Sequence, residues 1–295
     1  MTGSRNHLVL DRAELGKLVP IDRGGQATIF DLPDLSLAEC PGPLVYKEYH
    51  RSLPDGFAEP MLAIVAVRDR LRQNHRLLLD RRAVWPLRLI TSDNRATGIV
   101  MLRLPERFFQ DFPHHNSQFV RRPRDAQHLM APAEDNLEAG IAPPRLGQRG
   151  ALCRELSLVL GLLHGAGVVY GDLNPRNVLF WAASGGGCGV MLVDCDAVRI
   201  AGSVAPLLQL HGPDWFPPEG GAVQNRESDR YKYGLFVLRT LAGRRMGSIS
   251  RDPADLEQVL DPAGLTLLRR SVAEQPALRP SMRDWYGYWS GVLPR

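Results

Sequence analysis

The run Val168-Val169-Tyr170-Gly171-Asp172-Leu173-Asn174-Pro175-Arg176-Asn177-Val178-Leu179-Phe180 sets an acid and an amide five residues apart, in a proline-containing turn between two apolar stretches. A further oxygen donor, Asp194, ends the strand-like run Met191-Leu192-Val193. Aspartate is a compact anion that accepts a hydroxyl proton when held within reach. Asn177 and Asp194 offer the hard oxygens that magnesium prefers beside phosphate. The chemistry open to such a set is phosphoryl transfer, with Asp172 as base and Asn177 and Asp194 as metal ligands. Each piece alone also has an ordinary reading, because acids and amides in turns commonly cap their own backbone.

The elements that must position these residues follow from periodicity. Residues 15–21, 27–30 and 44–46 read as short strands bounded by Gly, Pro and Asp. Residues 57–73 read as a helix through Phe57, Met61, Ile64, Val65 and Leu71, and residues 87–90 and 97–104 as further strands. Residues 105–150, rich in Pro, His, Arg and Asn, read as a linker with an exposed insertion, chiefly at 121–140. Helices are expected at 148–165, where Leu152, Leu156, Val159, Leu160 and Leu163 share a face, then at 228–242, around 256–260 and at 265–272. The aromatic patch at 285–289 reads as a packed end.

At 295 residues and 44% apolar, the chain can bury a core for one large domain or two lobes. Cys40, Cys153, Cys188 and Cys195 have no paired spacing, so neither disulfides nor a structural zinc site is expected, and a cytoplasmic setting fits. No apolar run reaches membrane-spanning length, and the first residues lack the apolar stretch of a signal peptide. The net charge of +4 comes from arginines dispersed beside acids, without a basic stripe, and carries little weight for DNA or RNA. Lys17, Lys47 and Lys232 are the only lysines, which makes an internal lysine informative.

In this order, the motifs resemble the protein kinase-like fold. Tyr170-Gly171-Asp172-Leu173-Asn174-Pro175-Arg176-Asn177 resembles the kinase catalytic loop, and Asp194-Cys195-Asp196 resembles the magnesium-binding triplet usually read Asp-Phe-Gly. Residues 21–30 resemble a reduced glycine-rich phosphate loop, in which Gly24, Gly25, Gln26 and Ala27 would approach phosphate. Lys47 resembles the strand lysine that holds the nucleotide phosphates. Pro217-Pro218-Glu219 resembles the end of the activation segment, Asp229 with Tyr231 and Gly234 the buried helix beneath the catalytic loop, and Arg279 the late arginine that pairs with Glu219. Breaking such a buried pair would cost roughly 3–5 kcal/mol, which makes both of its members structural. The resemblance spans about residues 15–290 and is nearest to divergent bacterial kinase-like proteins with a Val-Tyr-Gly-Asp-Leu-Asn loop and an Asp-Cys-Asp metal motif.

The resemblance implies an α+β, bilobal protein kinase-like fold, with a strand-rich N-lobe at 1–104 and a helical C-lobe at 105–295 that includes the linker and exposed insertion. It implies ATP with Mg2+, or Mn2+, in the cleft, and transfer to a protein serine or threonine hydroxyl. Glu59 is the preferred helix partner for Lys47, with Asp69 the competing choice. Met101 would lie beside adenine, with Leu102 to Leu104 as the hinge. Implied partners are a protein substrate or a regulatory protein, some relatives accompanying von Willebrand-type and phosphatase proteins. Tyr170 and Gly171 stand where His-Arg is usual, Asn174 replaces the loop lysine, Gly212 replaces a cleft threonine and Asp196 replaces the triplet glycine. Ser203 is the only hydroxyl-bearing side chain between Asp194 and Glu219, so activation-loop phosphorylation is not expected. These departures keep open a second reading, a nucleotide-binding pseudokinase acting as a regulatory module, and a third, a kinase for a small molecule.

Overall fold

Continuous burial along the central N-terminal strands marks a sheet with two apolar faces. The strands are β1 (Val9–Asp11), β2 (Val19–Arg23), β3 (Ala27–Asp31), β4 (Leu44–Tyr49), β5 (Pro86–Ser92) and β6 (Arg95–Leu102). They form one six-stranded sheet in the order β1-β5-β6-β4-β3-β2, with β1 and β5 parallel and the other neighbours antiparallel. The computed structural model describes residues 6–114, 118–207, 211–221, 224–244 and 249–294. Contacts divide the chain into a first unit, Met1–Leu104 with Asp194–Leu208, and a second, Pro105–Val193 with Gln209–Arg295. The sequence expectation placed everything beyond residue 104 in one lobe. Instead, Asp194–Leu208 groups with the sheet.

Successive strand side chains point to opposite faces. Leu44 and Tyr46 of β4 join Leu87, Ile90 and Val100 in one cluster with Leu15, Leu32 and Cys40. Leu89 and Ile99 join a second cluster with Leu8, Phe57, Met61 and Val65, against which Tyr49, Met101 and Leu207 also pack. Lys47 lies opposite Ile99 in the β4–β6 register and therefore belongs to this second face. The helix expected over 57–73 is α1 (Ala58–Arg70), and an unforeseen second helix, α2 (Gln73–Arg82), follows extended backbone at Leu71 and Arg72. Arg68, only 4% exposed, fixes that corner by donating to both oxygens of Asp80 at 2.8 Å and to the Glu39 carbonyl at 2.9 Å. The strand expected at 15–21 begins only at Val19, because Arg12–Leu15 forms a short 3-10 turn capped by Asp11.

The second unit corrects in part the expectation of an exposed insertion at 105–150, since residues 119–123 are exposed throughout but a buried core lies around them. Strands β7 (Phe109–Pro113) and β8 (Phe119–Pro123) form a hairpin, followed by helices α3 (Gln127–Met130) and α4 (Ala133–Glu138). Phe108, Phe112, Ala126, Leu129, Met130 and Ile141 are buried there. Polar composition concealed this core because guanidinium groups cover rings: Arg122 sits 4.3 Å from the Phe112 centroid and Arg124 4.9 Å from that of Phe180.

The helical scaffold is α5 (Leu146–Gly165), α6 (Arg226–Ala242), α7 (Pro262–Ser271) and α8 (Met282–Val292). In place of the helix expected around 256–260, a 3-10 turn spans Pro253–Leu256 and turns follow it. Helix α6 starts on an Asn225–Ser228 capping box and ends at Gly243, whose φ of 48° lies in the left-handed region. Tyr233 is its anchor: the hydroxyl donates to the Cys153 carbonyl at 2.9 Å and accepts from Trp289 Nε1 at 2.9 Å. Gly234 is required by close approach, since a Cβ there would meet Ser271 Cβ at 2.5 Å. Among the described residues, no helix is long and apolar enough to cross a membrane.

Candidate functional site

The residues singled out by chemistry fall into two sets, one in each unit. In the first unit, Gly24, Gly25 and Gln26 make the tight β2–β3 turn, closed by a hydrogen bond from Gly24 N to Ala27 O at 3.0 Å. Neither glycine has a positive φ. A Cβ on Gly25 would meet nothing within 4 Å, and one on Gly24 only the Ala27 carbonyl at 3.9 Å. The hairpin itself therefore makes no steric demand for glycine at either position.

Lys47 projects from β4 with its side chain 14% exposed and donates to Asp194 Oδ1 at 3.1 Å and to Asp196 Oδ2 at 2.8 Å. The two carboxylates differ in setting. Asp194 is 54% exposed and Asp196 only 3%. Tyr49, two residues along the same strand face, donates its hydroxyl to the same Asp196 oxygen at 2.5 Å. Burial alone would lower the Lys47 pKa, but Asp196 and then Asp194 outweigh it and hold the ammonium above the ordinary lysine range. Burial and the neighbouring Asp196 push the Tyr49 phenol well above its usual value, so it stays a donor. Asp194 has a φ of 52°, a conformation uncommon outside glycine and often found at functional positions.

The expected partner Glu59 is not brought to Lys47. It lies exposed in the first turn of α1, and Asp69, also exposed, accepts from His7 instead. Helix register explains this: the buried face of α1 is Met61, Ile64, Val65, Val67 and Arg68, and neither acid lies on it. Met101 is half-buried on the same sheet face as Lys47, while Leu102 turns into the opposite cluster. Leu104 is half-buried just beyond β6.

In the second unit the loop 170–177 is held from below and from within. Asp229, fully buried at the start of α6, accepts from Tyr170 N at 2.9 Å, from Gly171 N at 2.8 Å and from His164 Nε2 at 3.0 Å. Tyr170 donates its hydroxyl to the Val193 carbonyl at 2.6 Å. Within the loop, Asn174 Nδ2 donates to Asp172 Oδ1 at 3.0 Å and Asn177 Nδ2 to Asp172 Oδ2 at 2.9 Å. Asn174 is also the cap of the 3-10 turn Pro175–Asn177, its oxygen accepting from Arg176 N at 2.9 Å. The turn-capping role of an amide and the clamping of an acid thus coexist in one residue. Gly212 approaches the loop closely, since a Cβ there would stand 3.2 Å from Asn174 Cβ.

Sequence reasoning missed Lys232. It is fully buried in α6 and donates to Gly171 O at 2.5 Å and Gln224 Oε1 at 2.6 Å. Burial lowers its pKa to about 8, against the opposing pull of Asp229 and Asp172. The signal was a lone lysine inside the apolar run 231–238. The expected Glu219–Arg279 pair is present: Arg279 donates to both Glu219 oxygens at 2.6 and 2.5 Å, with the arginine side chain 0% exposed. Burial would raise the Glu219 carboxyl, but Arg279 holds it below the usual glutamate value.

The donor chemistry suits a hard cation in each set. Asp194 presents an exposed carboxylate, and Asn177, whose amide nitrogen is committed to Asp172, has Oδ1 as its remaining polar atom. Among the described residues, no three His, Cys, Asp or Glu side chains converge into a metal-holding group. Magnesium at these residues would depend on phosphate oxygens and water for the rest of its shell.

No family model matches the chain. A stretch of 118 residues is 33% identical to the serine/threonine-protein kinase pkn2 of Myxococcus xanthus, covering 37% of this chain and 14% of that protein. A stretch of 147 residues is 30% identical to the probable inactive leucine-rich repeat receptor kinase XIAO of Oryza sativa subsp. japonica, covering 45% of this chain and 12% of that protein. The chain therefore spans only a small part of the curated relatives it matches. With a strand-rich N-terminal region and a helix-rich C-terminal region, it is an α+β protein that is similar, over part of its length, to protein kinases.

Proposed function

We propose that the chain binds ATP with magnesium and transfers the terminal phosphoryl group to a serine or threonine hydroxyl of a protein. The observation that carries the reading is the pairing of Lys47, one of only three lysines, with Asp194, the acid expected to hold metal. In this reading Lys47 orients the phosphates and Asp194 and Asn177 hold the cation. The backbone of Gly24, Gly25, Gln26 and Ala27 approaches the phosphates, Met101 lies beside the base, and the backbone of Leu102 to Leu104 binds its edge. Bound magnesium supplies charge neutralisation on the phosphate oxygens. Asp172 accepts the hydroxyl proton. Two amide donors fix the direction of its carboxylate. Glu219, Asp229 and Arg279 act through structure alone.

The test is phosphate transfer from magnesium-ATP to the native soluble protein fraction, read by mass spectrometry, with Asp172→Ala and Asp194→Ala beside the unaltered chain. Transfer that falls at least a hundredfold in both variants is the expected result. Equal transfer by Asp172→Ala removes that residue as the base. A second reading, a nucleotide-binding pseudokinase that regulates a protein partner, is favoured by Asn174 standing where the catalytic loop has its lysine. The probable inactive relative adds to it. It is distinguished by nucleotide-dependent thermal stabilisation without transfer to any acceptor. In either case a partner of the von Willebrand-type or phosphatase class is part of the reading, and control by such a partner fits a segment whose only hydroxyl-bearing side chain is Ser203.

A further inference from the structure

We infer that Asp196 is the positioning residue for Lys47, taking the place of a helix carboxylate, while Asp194 is left free to exchange the ammonium for a cation. The inference rests on the nucleotide-binding reading above and assigns a division of labour within it. Lys47 has two carboxylate partners from one short segment, and their surroundings are opposite. Asp196 is 3% exposed and its Oδ2 receives both the Lys47 ammonium at 2.8 Å and the Tyr49 hydroxyl at 2.5 Å. Asp194 is 54% exposed, and its bond to Lys47 is the longer one at 3.1 Å. A carboxylate locked between two donors and sealed from water is a poor site for a hydrated magnesium ion, which gives up its water reluctantly. An exposed carboxylate is a good one.

Helix α1 cannot fill the positioning role as it stands. Its two acids are Glu59, exposed in the first turn, and Asp69, engaged with His7, and the acid of α2, Asp80, is engaged with Arg68. The ammonium is therefore held by elements that are already fixed to each other: β4 supplies Lys47 and Tyr49, and the segment after β6 in this unit, Asp194–Leu208, supplies Asp196. The consequence is that no movement of α1 is needed to assemble the phosphate-holding lysine. A partner would have to act elsewhere than on that ion pair.

The experiment measures the affinity of a fluorescent ATP analogue with and without magnesium, alongside the thermal shift produced by ATP. In Asp196→Asn, affinity is expected to fall about tenfold both with and without magnesium, because the lysine is misplaced in either condition. Lys47→Met should show the same loss, and the double variant no more than either single one. Asp194→Asn should lose only the increment that magnesium adds, and Glu59→Gln should bind like the unaltered chain. Tyr49→Phe, which removes one donor and keeps the carboxylate, should move affinity in the same direction as Asp196→Asn but less, and it stands in if the Asp196 variant does not fold. Three results overturn the assignment: unchanged binding in Asp196→Asn, a loss confined to the magnesium increment, or a tenfold loss in Glu59→Gln. An unaltered chain that binds no nucleotide overturns the nucleotide reading and this assignment with it, which separates that failure from the other three.

Discussion

Two of the three lysines are withdrawn from solvent, Lys47 half-buried in the first unit and Lys232 fully buried in the second, and their proton affinities move in opposite directions. Lys47 meets two carboxylates at 2.8 and 3.1 Å and is held above the lysine range. Lys232 meets a carbonyl and an amide oxygen at 2.5 and 2.6 Å and drops to about 8. Burial of a lone lysine lowers its pKa by up to ~3–5 units, or ~4–7 kcal/mol. An opposite charge at contact distance returns about 4 kcal/mol at the effective dielectric of a protein interior. Two contacting anions therefore reverse the burial cost, and neutral acceptors do not. The first lysine is built to remain a cation facing phosphate, and the second to hold a backbone turn.

The largest test of that contrast is substitution at neutral pH. Lys47→Met strands Asp196 as a buried anion and should lower the unfolding free energy by about 3–5 kcal/mol in urea titrations. Lys232→Met leaves two neutral acceptors unpaired but also removes a costly buried charge, so its loss should be nearer ~1 kcal/mol. Equal losses would end the comparison.

The next test is pH. Because the folded-state pKa of Lys232 is depressed, the unfolded chain binds the extra proton between about 8 and the ordinary lysine value. The unaltered chain should therefore gain stability over Lys232→Met as pH rises through that window, with a slope of at most ~1.4 kcal/mol per unit. Lys47 has the opposite sign. Its raised pKa gives stability that is complete below about 10.4 and is lost only above it, so the difference from Lys47→Met should stay flat from pH 6 to 10. The smallest expected effect is at the β2–β3 turn. Gly25→Ala should change stability by no more than about 0.5 kcal/mol, since the added Cβ meets open space. The same variant should weaken stabilisation by ATP if the backbone there approaches phosphate.

Sequence distance explains which parts of the site were legible. The donors to Asp172, Asn174 and Asn177, lie two and five residues away within the turn that residue type and spacing had singled out. The partners of Lys47 come from 147 residues away and beyond, and no spacing rule reaches that far. Glu59 was favoured over Asp69 as the glutamate near the middle of the expected window, but the apolar face of α1 turned it to solvent. The hairpin at 109–123 was not foreseen because its stretch was read as a polar linker, arginine counting as polar in composition although its planar face covers aromatic rings.

By itself, the sequence determined the local elements with strong period and the acid and amides of the 170–177 turn, because these depend on residue type and short-range geometry; the Glu219–Arg279 and Asp229 supports, whose partners lie 58 to 65 residues away, were expected only from the family resemblance. Only the tertiary structure decided that Asp194–Leu208 groups with the sheet, that Asp196 rather than a helix acid faces Lys47, and that Lys232 lies under Gly171. Those outcomes depend on which surfaces exclude water once the elements pack, and the energy of a buried charge is set by its contacts there.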